Sequence, residues 1–138
     1  MPNDLATYLI ALVDHPDPAR RDPELALRTL EAWRPIFGDW PWHAVAESLA
    51  RVRLEDWQGA YARIGERFEL PGLMILTPMG YDFVRSLIAS HLGRDDEARA
   101  HYRRALAEWD AETRDAPELW ANSDAARWRR EAEAALAR

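Results

Sequence analysis

The sequence predicts an all-α fold, and three observations carry that expectation. Apolar residues recur at helical spacing along most of the chain, and no stretch shows the strict alternation of a half-buried strand. Pro, Gly and acidic residues fall where helices would start and stop. At 138 residues the chain can build a core without disulfides or metals. It has no cysteine, which removes disulfides, thiolate zinc sites and cysteine nucleophiles.

The elements follow in order. A first helix opens at Asn3 or Asp4 and runs to about Val13, with Leu5, Leu9, Leu12 and Val13 at helical spacing. His15-Pro16-Asp17-Pro18 ends it, because proline cannot continue a helix and pushes the preceding residue to extended geometry. Asp22-Pro23-Glu24 restarts one, with Asp as N-cap and Pro at the first helical position. Leu27, Leu30 and Trp33 mark its apolar stripe, and Pro35 with Gly38 closes it. A third helix starts near Asp39 or Pro41 and carries Val45, Ser48, Leu49 and Val52. The turn at Leu54-Glu55-Asp56 leads to a fourth, with Trp57, Ala60, Tyr61, Ile64 and Phe68.

Glu69 to Thr77 is the longest connection after the start; its Leu73-Met74-Ile75-Leu76 run should pack down, with a short strand as the competing reading. Thr77-Pro78 caps a fifth helix bearing Phe83, Val84, Leu87, Ile88 and Leu92. Gly93 then makes a turn, and Asp95-Asp96-Glu97 fill a first helical turn, where unpaired N–H groups favour acids. Ala98, Tyr102, Ala105 and Leu106 share one face of this sixth helix, which ends near Trp109 to Glu112. A last helix begins at Asp115-Ala116-Pro117 or at Asn122-Ser123-Asp124 and runs to Leu136, with Trp128, Ala132, Ala135 and Leu136 as a narrow apolar face. About seven helices are expected.

A repeat underlies them. Ala26, Ala60 and Ala98 each follow an acidic turn and precede a large apolar residue, at spacings of 34 and 38 residues. The stretch Phe83 to Leu106, with its Leu92-Gly93 turn, Asp95-Asp96-Glu97-Ala98, Tyr102 and Ala105-Leu106, resembles a tetratricopeptide repeat, whose period is about 34 residues. Arg21 to Leu27 and the tail Arg129 to Leu136 are similar to degenerate repeats at the ends of some bacterial multidomain proteins. The resemblance covers roughly residues 5–136. Glu55 stands where that family has Gly, and Glu47 and Arg85 stand at its usual apolar Leu position.

That resemblance implies antiparallel helical hairpins stacked as a short right-handed solenoid in one domain, 1–138. Its repeats would span 4–37, 41–68 and 78–112, with a capping helix over 117–137. In that family the first helices of the hairpins line a concave groove. Here Trp42, Val45, Leu49 and Arg53 from one repeat and Phe83, Leu87 and His91 from the next would face it. Chaperone-tail binders of the family clamp a carboxylate with Lys, Arg and Asn, so Val, Leu and Phe disfavour that target. An apolar groove suits an amphipathic helix or apolar peptide. The chain's own first or last helix is the competing occupant. Stacking in register would also bring Glu47 and Arg85 onto equivalent faces, where their pairing would fix the register; a small difference in helix phase would leave both in water.

Composition narrows the chemistry. All 18 basic residues are arginine, which removes lysine Schiff-base and P-loop chemistry. The net charge of −6 argues against general binding to a nucleic-acid backbone. No apolar run approaches the ~20 residues of a membrane span, and Met1-Pro2-Asn3-Asp4 lacks a basic leader, so a soluble cytoplasmic protein is expected. His43 and Glu47 share a helix face four residues apart but lack a third metal ligand. His91 and His101 flank the third hairpin turn near Asp95, Asp96 and Glu97. No nucleotide-binding Gly loop, zinc-protease motif or nucleophile elbow occurs. Trp33, Trp57 and Trp109 fall on core stripes, whereas Trp40, Trp42 and Trp120 are freer. The expectation is a protein-interaction module for a protein or peptide, with self-association left open and no catalysis, cofactor or metal. A small-molecule-binding or regulatory helical domain, with the groove closed into a pocket, is the runner-up.

Overall fold

The computed structural model describes residues 2–38, 41–65 and 80–138, and every regular element among them is helical. The order is α1 (Pro2–Asp14), a 3-10 turn (Pro18–Arg20), α2 (Pro23–Phe37), α3 (Pro41–Arg53), α4 (Trp57–Gly65), α5 (Tyr81–His91), α6 (Asp95–Thr113), α7 (Pro117–Trp120) and α8 (Asp124–Leu136). Among the described residues there are eight α-helices where about seven were expected, because both start signals near the end are used. Pro117 opens α7, and Ser123 opens α8 by accepting the Ala126 N–H at 3.2 Å. The expectations for Phe68, the 69–77 connection, the 73–76 run, the Thr77-Pro78 cap, Asp39 and Trp40 lie outside the described residues. No described helix is long and apolar enough to cross a membrane.

The chain forms two compact units, Met1–Ile75 and Leu76–Arg138. In the first, α3 packs against α1, α2 and α4; in the second, α5 packs against α6 and α8. Asp22 caps α2 as the sequence announces, and Asp56, expected only as part of a turn, caps α4. Asp22 Oδ1 accepts the Leu25 N–H at 3.0 Å with Pro23 at the first helical position, and Asp56 Oδ1 accepts the Gly59 N–H at 3.0 Å. Each side chain satisfies one donor that a helix start leaves unpaired.

One turn is used twice. The N–H groups of Leu54, Glu55 and Asp56 donate to the carbonyls of Ala50, Val52 and Arg51. Thirty-eight residues on, those of Leu92, Gly93 and Arg94 donate to Ile88, Ser90 and Ala89. Ala26, Ala60 and Ala98 begin the second helix of each hairpin and are all fully buried. Ser48 and Ser86 occupy one position of this register, both buried. Ser86 Oγ donates to the Ala98 carbonyl at 2.8 Å, tying α5 to α6, whereas Ser48 Oγ makes no hydrogen bond.

Glu55 takes the left-handed conformation at φ 58°, as Gly93 does at φ 73°. The departure from Gly therefore leaves the turn intact and costs energy instead. A side chain at positive φ costs about 1–2 kcal/mol, partly offset because Gly has about 0.5–1 kcal/mol more chain entropy to lose. Glu55→Gly is expected to stabilise the first unit by about 0.5 kcal/mol in urea denaturation; a loss would show that the Glu side chain contributes at the turn. At Gly80, φ 86°, the requirement is also spatial: an added Cβ would sit 2.7 Å from the Ala125 Cβ, so α8 can approach the start of α5 only over a glycine.

Candidate functional site

Four of the expected groove residues are core. Val45 and Phe83 are fully buried, Leu49 is 1% exposed and Leu87 6%. The reason lies in the neighbours of α3 and α5: α1 packs on α3 and α8 on α5. Phe83 meets Tyr102 and Trp109 at ring distances of 5.7 and 6.4 Å. Trp42 belongs to α3, with its side chain outside the described set. Arg53 is not a groove cation: its guanidinium pairs with Asp14, 1% exposed, and clasps α3 to α1. His91, at the end of α5, places Nε2 3.4 Å from Arg138 Nη1.

Glu47 and Arg85 belong to different units, and each meets opposite charge or an aromatic face within its own. The Glu47 carboxylate, 9% exposed, accepts from Arg34 Nη2 and Arg51 Nη2, each at 3.3 Å, and from Arg63 Nε. One buried carboxylate thus gathers α2, α3 and α4. Arg51 also donates to Asp56 Oδ2 at 2.7 Å, and this guanidinium holds the Asp56 carboxyl below its usual range. With its oxygens so occupied, Glu47 is poorly placed to share a metal with His43, itself buried. Among the described residues no three ligating groups converge as a metal site. Arg85 lies 3.8 Å from Asp82 Oδ1 and over the Tyr81 ring at 5.6 Å.

The second unit carries a looser charge cluster. Asp82 Oδ1 is 3.4 Å from His101 Nδ1 and 3.7 Å from Arg104, and His101 Nε2 is 3.6 Å from Glu97. Of the acids expected near His101, Glu97 is therefore in reach, while Asp96 sits 3.9 Å from Arg99. Desolvation, then repulsion from Asp82 and Glu112, pushes the Glu108 carboxyl above its usual value. A raised carboxyl binds its proton more tightly folded than unfolded, so stability is lost as pH rises past the unfolded value. Glu108→Gln is expected to raise Tm at neutral pH, with the gain vanishing on acidification. A Tm difference that does not change with pH would contradict this.

Between α6 and α8 the Tyr102 hydroxyl donates to Glu133 Oε1 at 2.7 Å, and Arg129 Nε reaches the same oxygen at 2.8 Å while lying over the Trp109 ring. Arg129, then Tyr102, holds the Glu133 carboxyl below its usual range. These contacts close the helix pair.

Two features face outward. On α2 the stripe Ala26, Leu30, Trp33, Phe37 begins buried and then opens: Trp33, expected in the core, is 39% exposed and stacks at 4.9 Å on Phe37, which is half-buried. Ile36 beside them is 71% exposed. Trp57, Trp109 and Trp120 are half-buried and Trp128 is buried. The second feature is a pocket of about 130 Å³ in the second unit, lined by Ser90, His91, Asp95, Arg99, Ala135, Leu136 and Arg138. Sequence reading named His91 and, at the turn beside it, Asp95; the other five converge through the packing of α5, α6 and α8. The sequence matches no family model, and neither the curated proteins nor the solved structures give a significant match.

Proposed function

We propose that the chain is a hairpin-repeat interaction module of the tetratricopeptide kind, and that it captures an amphipathic partner helix on the exposed end of α2. The observation that carries this reading is the bare apolar surface of Ile36 beside the stacked Trp33–Phe37 pair. The twice-used turn and the buried Ala26, Ala60 and Ala98 support the repeat itself. Aromatic anchors of this type dominate binding energy at interface centres, and a pair already stacked loses little freedom when a partner arrives. The three side chains lie within about one turn of a single helix, a ridge that fits beside another helix. Exposed Glu31 and the part of Arg34 not turned to Glu47 offer polar groups for a rim.

Helical peptides selected on the wild-type protein from an amphipathic display library provide the test. Ile36→Asp and Trp33→Ala should each weaken binding about tenfold or more with unchanged far-UV circular dichroism. Leu119→Asp, on an equally exposed apolar residue of α7, should leave it unchanged. Equal binding by Ile36→Asp, or no binder from the library, would remove the reading.

A further inference from the structure

The exposed side of α2 is complementary to itself. Leu25, Thr29, Ala32 and Ile36 follow one another at i, i+4, i+7 and i+11, so they form a single line along the helix. Leu25 and Thr29 are half-buried, Ala32 is exposed and Ile36 is 71% exposed, so the line becomes barer towards Gly38. The Thr29 hydroxyl donates to the Leu25 carbonyl at 2.8 Å, so covering the line would strand no side-chain polar group of its own. Arg28 and Glu31 lie along one edge of it. Both are exposed, and neither makes an ion pair with any of the described residues.

A second α2 laid antiparallel about a two-fold axis between Thr29 and Ala32 brings these residues into register. Ile36 then falls opposite Leu25 of the second copy and Ala32 opposite its Thr29, with each contact occurring twice. The small residues at the centre let the helices approach, and the larger ones close each end. Like edges of two antiparallel helices face each other, so Arg28 lies about 3 Å along the axis from the point opposite the second copy's Glu31. Two contacts of opposite charge result. An unrelated amphipathic helix would need this same order of large, small and charged residues in reverse; α2 already carries it. We propose that the partner helix of this surface is α2 of a second copy of the chain, in an antiparallel two-fold dimer. This rests on α2 being the docking helix and adds the identity of its partner. One helix pair is smaller than a standard interface of ~1,600 Å², so the dimer is weak and concentration-dependent.

Sedimentation equilibrium of the full chain, from about 10 μM to about 1 mM, is expected to show monomer and dimer in exchange. Ile36→Asp should weaken the dimer about tenfold or more. Arg28→Glu and Glu31→Arg should each weaken it about tenfold, because either change sets two like-charge contacts into the homodimer. Mixing these two charge variants should restore association, since a mixed dimer regains two contacts of opposite charge. Both positions are exposed, so the mixture tests the contact even where Ile36→Asp disturbs the fold. A wild-type chain that stays monomeric at about 1 mM, a dimer unaffected by Ile36→Asp, or a mixture that associates no better than its components would overturn the proposal. Library helices that still bind the Ile36 surface of such a chain would leave the docking helix standing and remove only the second copy as its partner.

Discussion

Phe83→Ala is expected to destabilise the second unit by about 4 kcal/mol, measured by urea denaturation followed by tryptophan fluorescence. The ring is fully buried and meets Tyr102 and Trp109, so truncation leaves a cavity that helices on both sides cannot fill without moving. Against a whole-domain stability of about 5–15 kcal/mol this is a large share. A side chain lining an open groove would give a different result: its removal would change stability by within about 0.5 kcal/mol and act on binding alone. The size of the loss therefore separates core from groove at a residue that the family resemblance assigned to the groove.

Glu47→Ala is expected to cost the first unit about 3 kcal/mol, at the low end for breaking a buried ion pair. Arg34 is 45% exposed and Arg51 33%, so both can turn to water when the carboxylate is gone. Arg63 is 12% exposed, so its charge has far less access to water than theirs when this carboxylate is removed. Removing both charges should recover much of the loss, because a well-packed apolar pair avoids the desolvation that opposes the ion pair. Glu47→Leu/Arg63→Met is thus expected to be more stable than either single variant. Additive losses in that cycle would show that Glu47 and Arg63 act independently.

Much of the fold is legible because helices announce themselves locally. Asp22-Pro23, Ser123-Asp124 and Leu92-Gly93 specify caps and turns through hydrogen bonds that span three to five residues. The alanines at 26, 60 and 98 are readable for the same reason: only a small residue suits the first inward position of a closely packed helix. Faces are harder than elements. Periodicity places Val45, Leu49, Phe83 and Leu87 on one side of α3 and α5, but not what covers that side. Depth beneath α1 and α8 is a tertiary property. Trp33 fails in the opposite sense, since its stripe is continuous with Ala26 and Leu30 and only its partial exposure separates them. Glu47 signals its importance by standing at an apolar position, yet its arginines come from three helices, two of them distant in sequence. The pocket at the α5–α6 turn has the weakest signal: polar residues around a turn look like any solvated turn until α8 is laid beside them.

The absence of cysteine from the sequence allows one labelling measurement to decide between a closed core and an open groove. Single substitutions Leu49→Cys, Leu87→Cys and Ile36→Cys introduce the only thiol in each variant, and its reaction with a thiol reagent reports accessibility in the native state. Leu49 and Leu87 are buried and Ile36 is 71% exposed. The first two thiols are therefore expected to react only through unfolding, orders of magnitude more slowly than denatured protein, and the third at close to the denatured rate. Equal, rapid labelling at all three would contradict the account.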